Sequence, residues 1–345
     1  MWERSTIIDV ARDAGVSPAT VSRVLNGAKP VSAEVSRRVR ETVERLGYQP
    51  NPAAQGLLRG RSHAVGVVVP DLSNPYFAEV LKGVTAAADE YDRRTLIADT
   101  NEDVSQERRV ILELARWVDG IVLCSPRMPD AALRATAASV PNLVCINRVL
   151  RDPPVAAVVV DFRAGMRAIC NHLLELGHRR VAYLQGPRQA WSEKERQLAL
   201  RAAGRRGLEV TQVPCGPSTI DGYRATDEAL RSDPSAIIAF SDYVAFGVLP
   251  RLAELDVAVP DDMSVTGFDD IPMSGITMPG LTTVAVRKPL LGQLAWQQLH
   301  DVAAEKRTGA AVSVTPELVT RASTARPRRR RKIGAKLRAA GDAGT

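Results

Sequence analysis

The chain has 345 residues, 45% of them apolar, and a formal net charge of +7. That suffices for two or three domains with a sizeable core. Its four scattered cysteines show no Cys-x-x-Cys or Cys/His spacing, which excludes a disulfide framework or a thiolate metal site and suits reduced, structural thiols. With no apolar leader and no run of about twenty apolar residues, a cytoplasmic protein without membrane contact is expected.

The charge is unevenly placed. Residues 1–62 hold ten Lys/Arg against six Asp/Glu and residues 321–345 hold nine against one, which leaves the middle at −5. Basic ends on a mildly acidic body point to a polyanionic partner for the ends alone.

Residues 6–27 predict two short helices around a glycine turn. Thr6 caps the first, whose apolar residues Ile7, Val10, Ala11 and Ala14 share a face. Gly15 supplies the positive φ that ends it. Ser17 caps the second, with Pro18 in the first position, where a missing N–H costs nothing. Val21, Val24 and Leu25 turn inward at spacings of three and four. The other face carries Ala19, Thr20, Ser22, Arg23 and Asn26, small, polar or cationic groups that fit a DNA major groove. A helical hairpin buried in some other core explains the apolar stripe but not the polar face. Ser32 then opens a third helix through Val35, Val39, Val43 and Leu46, closed by Gly47. Residues 1–50 thus form an all-α helix-turn-helix headpiece, the motif itself spanning about 8–27.

Residues 51–62 begin with Asn51 and Pro52, a cap and a first-turn residue, and have length for about two helical turns. Such a short helix is marginal in water, and Gly56 weakens it by about 1 kcal/mol more. The expectation is a hinge that becomes helical only when a partner copy or DNA supplies contacts.

From residue 64 the pattern becomes α/β. Apolar strands at 64–69, 96–99, 120–124, 143–146, 155–160, 180–184, 236–240 and 264–268 alternate with helical stretches, which predicts doubly wound parallel sheets covered on both faces. About ten strands suit two lobes better than one sheet. Ligands in such folds bind beyond the carboxyl ends of strands, here at 71–77, 100–101, 125–126, 147–148, 186–187, 241–242 and 269–270. Neither Gly-x-Ser-x-Gly, Gly-x-Gly-x-x-Gly, a P-loop nor metal-ligand spacing occurs, and the histidines pair with no nucleophile. No enzyme, metal or cofactor is expected. The last stretch, 326–345, opens with Arg-Pro-Arg-Arg-Arg-Arg-Lys and has too few apolar residues to fold alone. It suits either a solvated, disordered tail or a sequence-blind phosphate clamp.

Several motifs, in order, resemble the lactose-repressor (LacI/GalR) family of bacterial transcription regulators. They are Thr-Ile-Ile-Asp-Val-Ala through Val-Ser-Pro-Ala-Thr-Val-Ser-Arg-Val-Leu-Asn-Gly at 6–27, Leu-Gly-Tyr-Gln-Pro-Asn at 46–51 and Val-Pro-Asp-Leu-Ser-Asn-Pro-Tyr-Phe-Ala-Glu at 69–79. Further on come Leu-Gly-His-Arg-Arg-Val-Ala-Tyr-Leu at 176–184, Gly-Phe-Asp-Asp at 267–270, Pro-Gly-Leu-Thr-Thr-Val at 279–284 and Glu-Leu-Val-Thr-Arg-Ala-Ser-Thr at 317–324. The resemblance implies a homodimeric repressor on double-stranded DNA, at a pseudo-palindromic operator of carbohydrate-utilisation genes in the bacterial nucleoid.

On that resemblance Arg23 addresses a guanine edge, while Thr6, Ser17, Thr20, Ser22 and Asn26 hold phosphates or bases. Pro18 and Ala19 stand where the family sets operator preference; neither makes bidentate bonds, so methyl contacts and shape decide there. Ala54 and Leu57 match the family's hinge, Leu57 as the residue that wedges into the minor groove. Many relatives carry Ala-Arg-Ser-Leu where this chain has Ala54-Gln55-Gly56-Leu57, a less cationic and more flexible hinge.

The body resembles periplasmic sugar-binding proteins. An N-lobe of about 63–161 and 290–314 and a C-lobe of about 163–286 and 318–325 are implied, joined by three crossovers near 161–163, 286–290 and 314–318. A small-molecule effector, by default a sugar, is implied between the lobes. Its candidate contacts are Asp71, Tyr76, Phe77, Asn147, Arg148, Trp191, Arg196, Ser241, Asp242 and Asp269. Tyr76 and Phe77 offer ring faces, Arg196 in the loop after Gly186 and Pro187 grips two adjacent hydroxyls or a carboxylate, and Asp269 accepts hydroxyl protons. Asn147 and Ser241 replace the family's usual aspartate and asparagine, which points to a different effector from that of the best-known relatives.

Overall fold

The computed structural model describes residues 5–26, 31–48, 62–305 and 311–328. The hinge candidates Ala54 and Leu57, the side chain of Asn26 and the tail from residue 329 lie outside the described residues. The chain divides into two compact units, Met1–Ser62 and His63–Thr345.

The first unit holds α1 (Ile7–Asp13), α2 (Pro18–Asn26) and α3 (Ala33–Leu46). Thr6 and Asp9 form a reciprocal capping box at the start of α1. Gly15, at φ +62°, turns the chain out of it. The Ser17 hydroxyl accepts the Thr20 amide N–H at 3.2 Å and so caps α2. Ser32 caps α3, and Gly47 closes it in the left-handed region at φ +59°. Val10, Ala11, Ala14, Val21, Val24 and Val39 are sealed between the three helices.

In the second unit the helices are α4 (Pro75–Asp89), α5 (Val104–Leu114), α6 (Asp130–Ser139), α7 (Phe162–Leu176), α8 (Trp191–Gly204), α9 (Thr219–Arg231), α10 (Asp242–Glu254) and α11 (Lys288–Ala303). The strands are β1 (Ala64–Val69), β2 (Arg94–Asp99), β3 (Gly120–Cys124), β4 (Leu143–Ile146), β5 (Ala156–Val160), β6 (Arg180–Gln185), β7 (Glu209–Pro214), β8 (Ala236–Ala239), β9 (Ser264–Thr266), β10 (Thr283–Ala285), β11 (Ala311–Val314) and β12 (Glu317–Val319). A six-stranded sheet runs β11-β5-β4-β3-β1-β2 and a four-stranded sheet β7-β6-β8-β9, with β10 and β12 paired separately. Every pairing in the two larger sheets is parallel, while β10 and β12 run antiparallel.

The chain passes between the two sheets three times, from β5 to α7, from β10 to α11 and from β11 to β12. One apolar cluster runs through these crossings, with Val67 of β1 and Ile238 of β8 joined by Phe162, Phe268 and Val284. Four strands escape a search for apolar runs. The edge strand β7 is mostly exposed, with Glu209, Thr211, Gln212 and Pro214 outward and Val213 alone in it buried, and β10, β11 and β12 are only three or four residues long.

Each lobe closes on a pair of helices brought backbone to backbone by glycine. A Cβ on Gly83 of α4 would overlap the Pro289 carbonyl of α11, and one on Gly292 the Val80 carbonyl. In the other lobe Gly222 of α9 and Gly247 of α10 stand in the same relation to Val244 and Thr219. Gly83→Ala and Gly247→Ala are therefore expected to lower the melting temperature, overpacking typically costing about 1–3 kcal/mol. Gly204→Ala, at the end of α8 with nothing within 4 Å, is expected to be neutral or to raise it, since alanine is the better helix former. Thermal unfolding of the three variants checks both signs.

Candidate functional site

The first candidate surface is the outward side of α2. Val21 and Val24 are buried against α1 and α3, while Pro18, Ala19 and Arg23 are exposed and Thr20 and Ser22 half-exposed. The Ser17 hydroxyl lies 2.9 Å from that of Thr20, so the first turn presents two linked hydroxyls beside the arginine. Thr6 is exposed at the start of α1, with its side chain held by Asp9.

The second site is a cleft at the carboxyl ends of both sheets. Its space of ≈ 400 Å³, open mouth included, is lined by Asn74, Tyr76, Phe77, Glu102, Ser125, Arg127, Asn147 and Phe162 from one lobe and crossover. Ser192, Arg196, Pro217, Phe240, Ser241 and Asp269 line it from the other. Each lining residue follows the end of one of the strands β1 to β9, which is where parallel sheets leave their side chains free to converge. Tyr76 and Phe77 meet edge to face, ring centroids 5.1 Å apart. Asn147, at φ +57°, donates its amide to the Tyr76 hydroxyl at 2.7 Å and accepts the Val160 N–H at 3.2 Å. That leaves the Tyr76 O–H as the donor facing the cleft.

Arg196 is 2% exposed, and its guanidinium sits over the rings of Phe162, Phe240 and Phe268 at 4.7, 4.3 and 4.1 Å. Its Nε and Nη1 have no hydrogen-bond partner. Stripping a cation of water costs several kcal/mol, and three ring faces at about 2 kcal/mol each when desolvated offset a cost of that size. Opposite it stands Asp269, at φ +120°, whose carboxylate accepts no hydrogen bond from the described residues. Burial, reinforced by the nearby Asp242 carboxylate and opposed by Arg196 and Lys288, pushes the Asp269 carboxyl up to about 8. Glu102 is occupied, taking both arms of the Arg127 guanidinium at 2.9 Å. The cleft thus offers ring faces, one unspent cation and one unspent carboxyl.

Tyr76, Phe77, Asn147, Arg196, Ser241 and Asp269 come together here, whereas four other candidates do not line the cleft. Asp71 folds its own loop, accepting the Ser73 N–H at 2.7 Å. Arg148 turns away to Asp130 at 2.6 Å and the Met128 carbonyl at 3.1 Å. Trp191 packs half-buried against the core. Asp242 is fully buried and accepts from Ile271 N–H and from the Ser274 and Thr283 hydroxyls. Arg196 and Trp191 also lie on α8 rather than in a loop; the helix starts after Ala190 without a side-chain cap, so no start signal marks it. Glu102, Arg127, Phe162, Ser192 and Phe240 are not among the candidates; strand-end windows two residues longer would capture Glu102 and Arg127, and a window after the strand at 155–160 would capture Phe162.

Because the folded protein raises the Asp269 carboxyl above its unfolded value, the unfolded state releases that proton first. Stability therefore falls as pH rises from about 4 to about 8. Asp269→Asn removes this penalty. The variant is expected to melt higher than the parent at about pH 8, with the difference shrinking towards about pH 4. A difference that stays flat across a pH series of melting curves would contradict the raised carboxyl.

Residues 6–51 match the model for bacterial regulatory proteins of the lacI family, and 170–324 that for the periplasmic binding protein-like domain. The HTH-type transcriptional regulator GalS of Salmonella typhimurium is 34% identical over 93% of this chain and 96% of its own. The HTH-type transcriptional repressor CytR of Escherichia coli K12 is 30% identical over the same shares, 93% and 96%. Among solved structures, the lac repressor dimer bound to operator and the anti-inducer ONPF superposes with a TM-score of 0.80 at 27% identity, over 94% of this chain and 100% of that one. The regulator CelR in complex with cellobiose gives 0.69 at 29%, over 93% and 100%. The chain belongs to the lacI family of bacterial regulatory proteins, and it is a DNA-binding transcriptional regulator, not an enzyme.

Proposed function

We propose that the protein is a repressor of carbohydrate-utilisation genes in the bacterial cytoplasm, binding a pseudo-palindromic operator as a homodimer and released by a sugar in the cleft. The observation that carries this reading is the outward face of α2. It is a capped helix with a sealed apolar back and a front of Pro18, Ala19, Thr20, Ser22 and Arg23, sized for a major groove. The finer roles, Arg23 on a guanine edge and Ser17, Thr20 and Ser22 on phosphates, belong to this proposal, as does the Leu57 wedge.

Self-pairing is supported by apolar surface that a monomer leaves wet. Leu96 and Ile97 lie exposed on the edge strand β2, and Ile276 and Met278 are 78% and 97% exposed in the other lobe. Edge strands and apolar patches of this kind call for cover. Sugar as the effector is supported by the cleft chemistry. Rings suit the C–H face of a pyranose or furanose, and the Arg196 cation with the Asp269 carboxyl suits adjacent hydroxyls. A coupling of about 1–3 kcal/mol between sugar and DNA suffices for control.

Selection of genomic fragments on the full-length protein is expected to return a twofold-symmetric site. Arg23→Ala is expected to weaken binding to that site by about 1–3 kcal/mol while random-sequence binding falls much less. Equal losses on both would sink the groove reading. In a melting screen of monosaccharides and nucleobases, a monosaccharide is expected to raise the midpoint, as any ligand of the native state does, and Asp269→Asn to abolish that rise.

A further inference from the structure

The polar groups that line the cleft can be sorted by what each has left once the protein's own hydrogen bonds are counted. Acceptors are mostly spent. The Asn147 side-chain carbonyl takes the Val160 N–H at 3.2 Å, and that of Asn74 takes the Tyr76 N–H at 3.0 Å. Glu102 gives both oxygens to Arg127. The Ser241 hydroxyl oxygen accepts the Val244 N–H at 3.3 Å. The Tyr76 and Ser125 oxygens accept from the Asn147 amide at 2.7 and 3.4 Å.

The same bonds leave donors. A hydroxyl whose oxygen already accepts has its proton to give, so Tyr76, Ser125 and Ser241 each keep an O–H, and Asn74 keeps its amide N–H groups. Among the described residues these donors meet no acceptor. Arg196 adds its unpartnered Nε and Nη1 and a charge that no carboxylate of the lining balances. Glu102 is taken by Arg127, and the Asp269 carboxyl, pushed up to about 8 by burial, is largely protonated at neutral pH. The charges of Asp269 and Arg196 both bear on the Tyr76 hydroxyl, so these groups converge on one place.

A neutral sugar fills only part of this set. Each of its hydroxyls has a proton to place as well as lone pairs to offer, and Asp269 alone among the lining carboxyls has oxygens to spare for such protons. A carboxylate offers lone pairs and no proton, and its planar pair of oxygens matches the guanidinium fork. It also neutralises a buried cation, which a hydroxyl cannot do. We propose that the effector is a sugar acid, a small polyhydroxylated carboxylate whose charged end lies on Arg196 and whose neighbouring hydroxyl lies on Asp269. In an aldonate that hydroxyl stands on the carbon next to the carboxylate, and in a uronate ring one carbon further along. The remaining hydroxyls and the ring oxygen take the protons of Tyr76, Ser125 and Ser241. The inference rests on the reading of the cleft as a sugar site and names the chemical class within it.

Matched pairs test it. Titration calorimetry and melting of the full-length protein compare glucose with gluconate and glucuronate, galactose with galactonate and galacturonate, and ribose with ribonate. The acids are sodium salts, and sodium chloride is added to the neutral members. At least one acid is expected to bind about tenfold or more tightly than its parent sugar, the low end of what a hydrogen bond to a charged group adds. Arg196→Gln is expected to erase that preference and Arg196→Lys to keep part of it. Should neither variant fold, the ratio measured in the parent protein still decides. A neutral sugar that binds as tightly as its acids overturns the inference and leaves the sugar reading standing. Sodium acetate or phosphate that stabilises the protein as much as any sugar acid also overturns it, because the cation alone is then recognised. No response to any of these compounds removes the sugar reading and the inference together.

Discussion

Lys288 carries more of this architecture than its single charge suggests. Its ammonium, 5% exposed, donates to the carbonyls of Asp269 at 2.6 Å and Asp270 at 2.8 Å. Those two residues hold φ of +120° and +52°, conformations that cost about 1–3 kcal/mol each outside glycine. Two hydrogen bonds from a charged donor, at about 1.5–3 kcal/mol each, are of the size needed to hold them. Arg321 adds a second clamp, reaching the Asp270 carboxylate at 2.7 Å and the Leu281 carbonyl at 2.9 Å. Without this strained turn the Asp269 carboxyl would not face the cleft.

The same lysine opens α11, and α11 lies backbone to backbone against α4 through Gly83 and Gly292. The start of α4 carries Tyr76 and Phe77. The ring wall of the cleft and its carboxyl wall, contributed by different lobes, are thus fastened to one helix.

Arg196 and Asp269 illustrate how a cleft stores binding capacity. Each is buried without a neutralising hydrogen bond, the cation under three phenyl rings and the carboxyl kept largely protonated by desolvation. Groups left unspent in the free protein are available to a ligand that brings the matching hydroxyls, and they reject an apolar compound of the same shape because both would then stay unsatisfied. The headpiece follows the opposite economy: its caps, its glycine turn and its sealed valines are satisfied internally, and the outward side of α2 is left for a partner.

Much of this was legible in one dimension. The headpiece helices, the caps at Thr6, Ser17 and Ser32, the turns at Gly15 and Gly47 and the buried parallel strands follow from local rules, since capping, positive φ and apolar runs act over a few residues. The strand-end windows contain Tyr76, Phe77, Asn147 and Asp269, and the family resemblance singled them out together with Arg196. What only the tertiary structure decided was direction. Arg148 and Asp242 sit at equally eligible strand ends, yet one is drawn off by Asp130 and the other by Ser274 and Thr283. Phe162 and Phe240 become a cage only when α8 brings Arg196 between them. Sequence spacing records which residues leave a strand together, but not which distant partner claims a side chain first, because that competition is settled by packing across the chain.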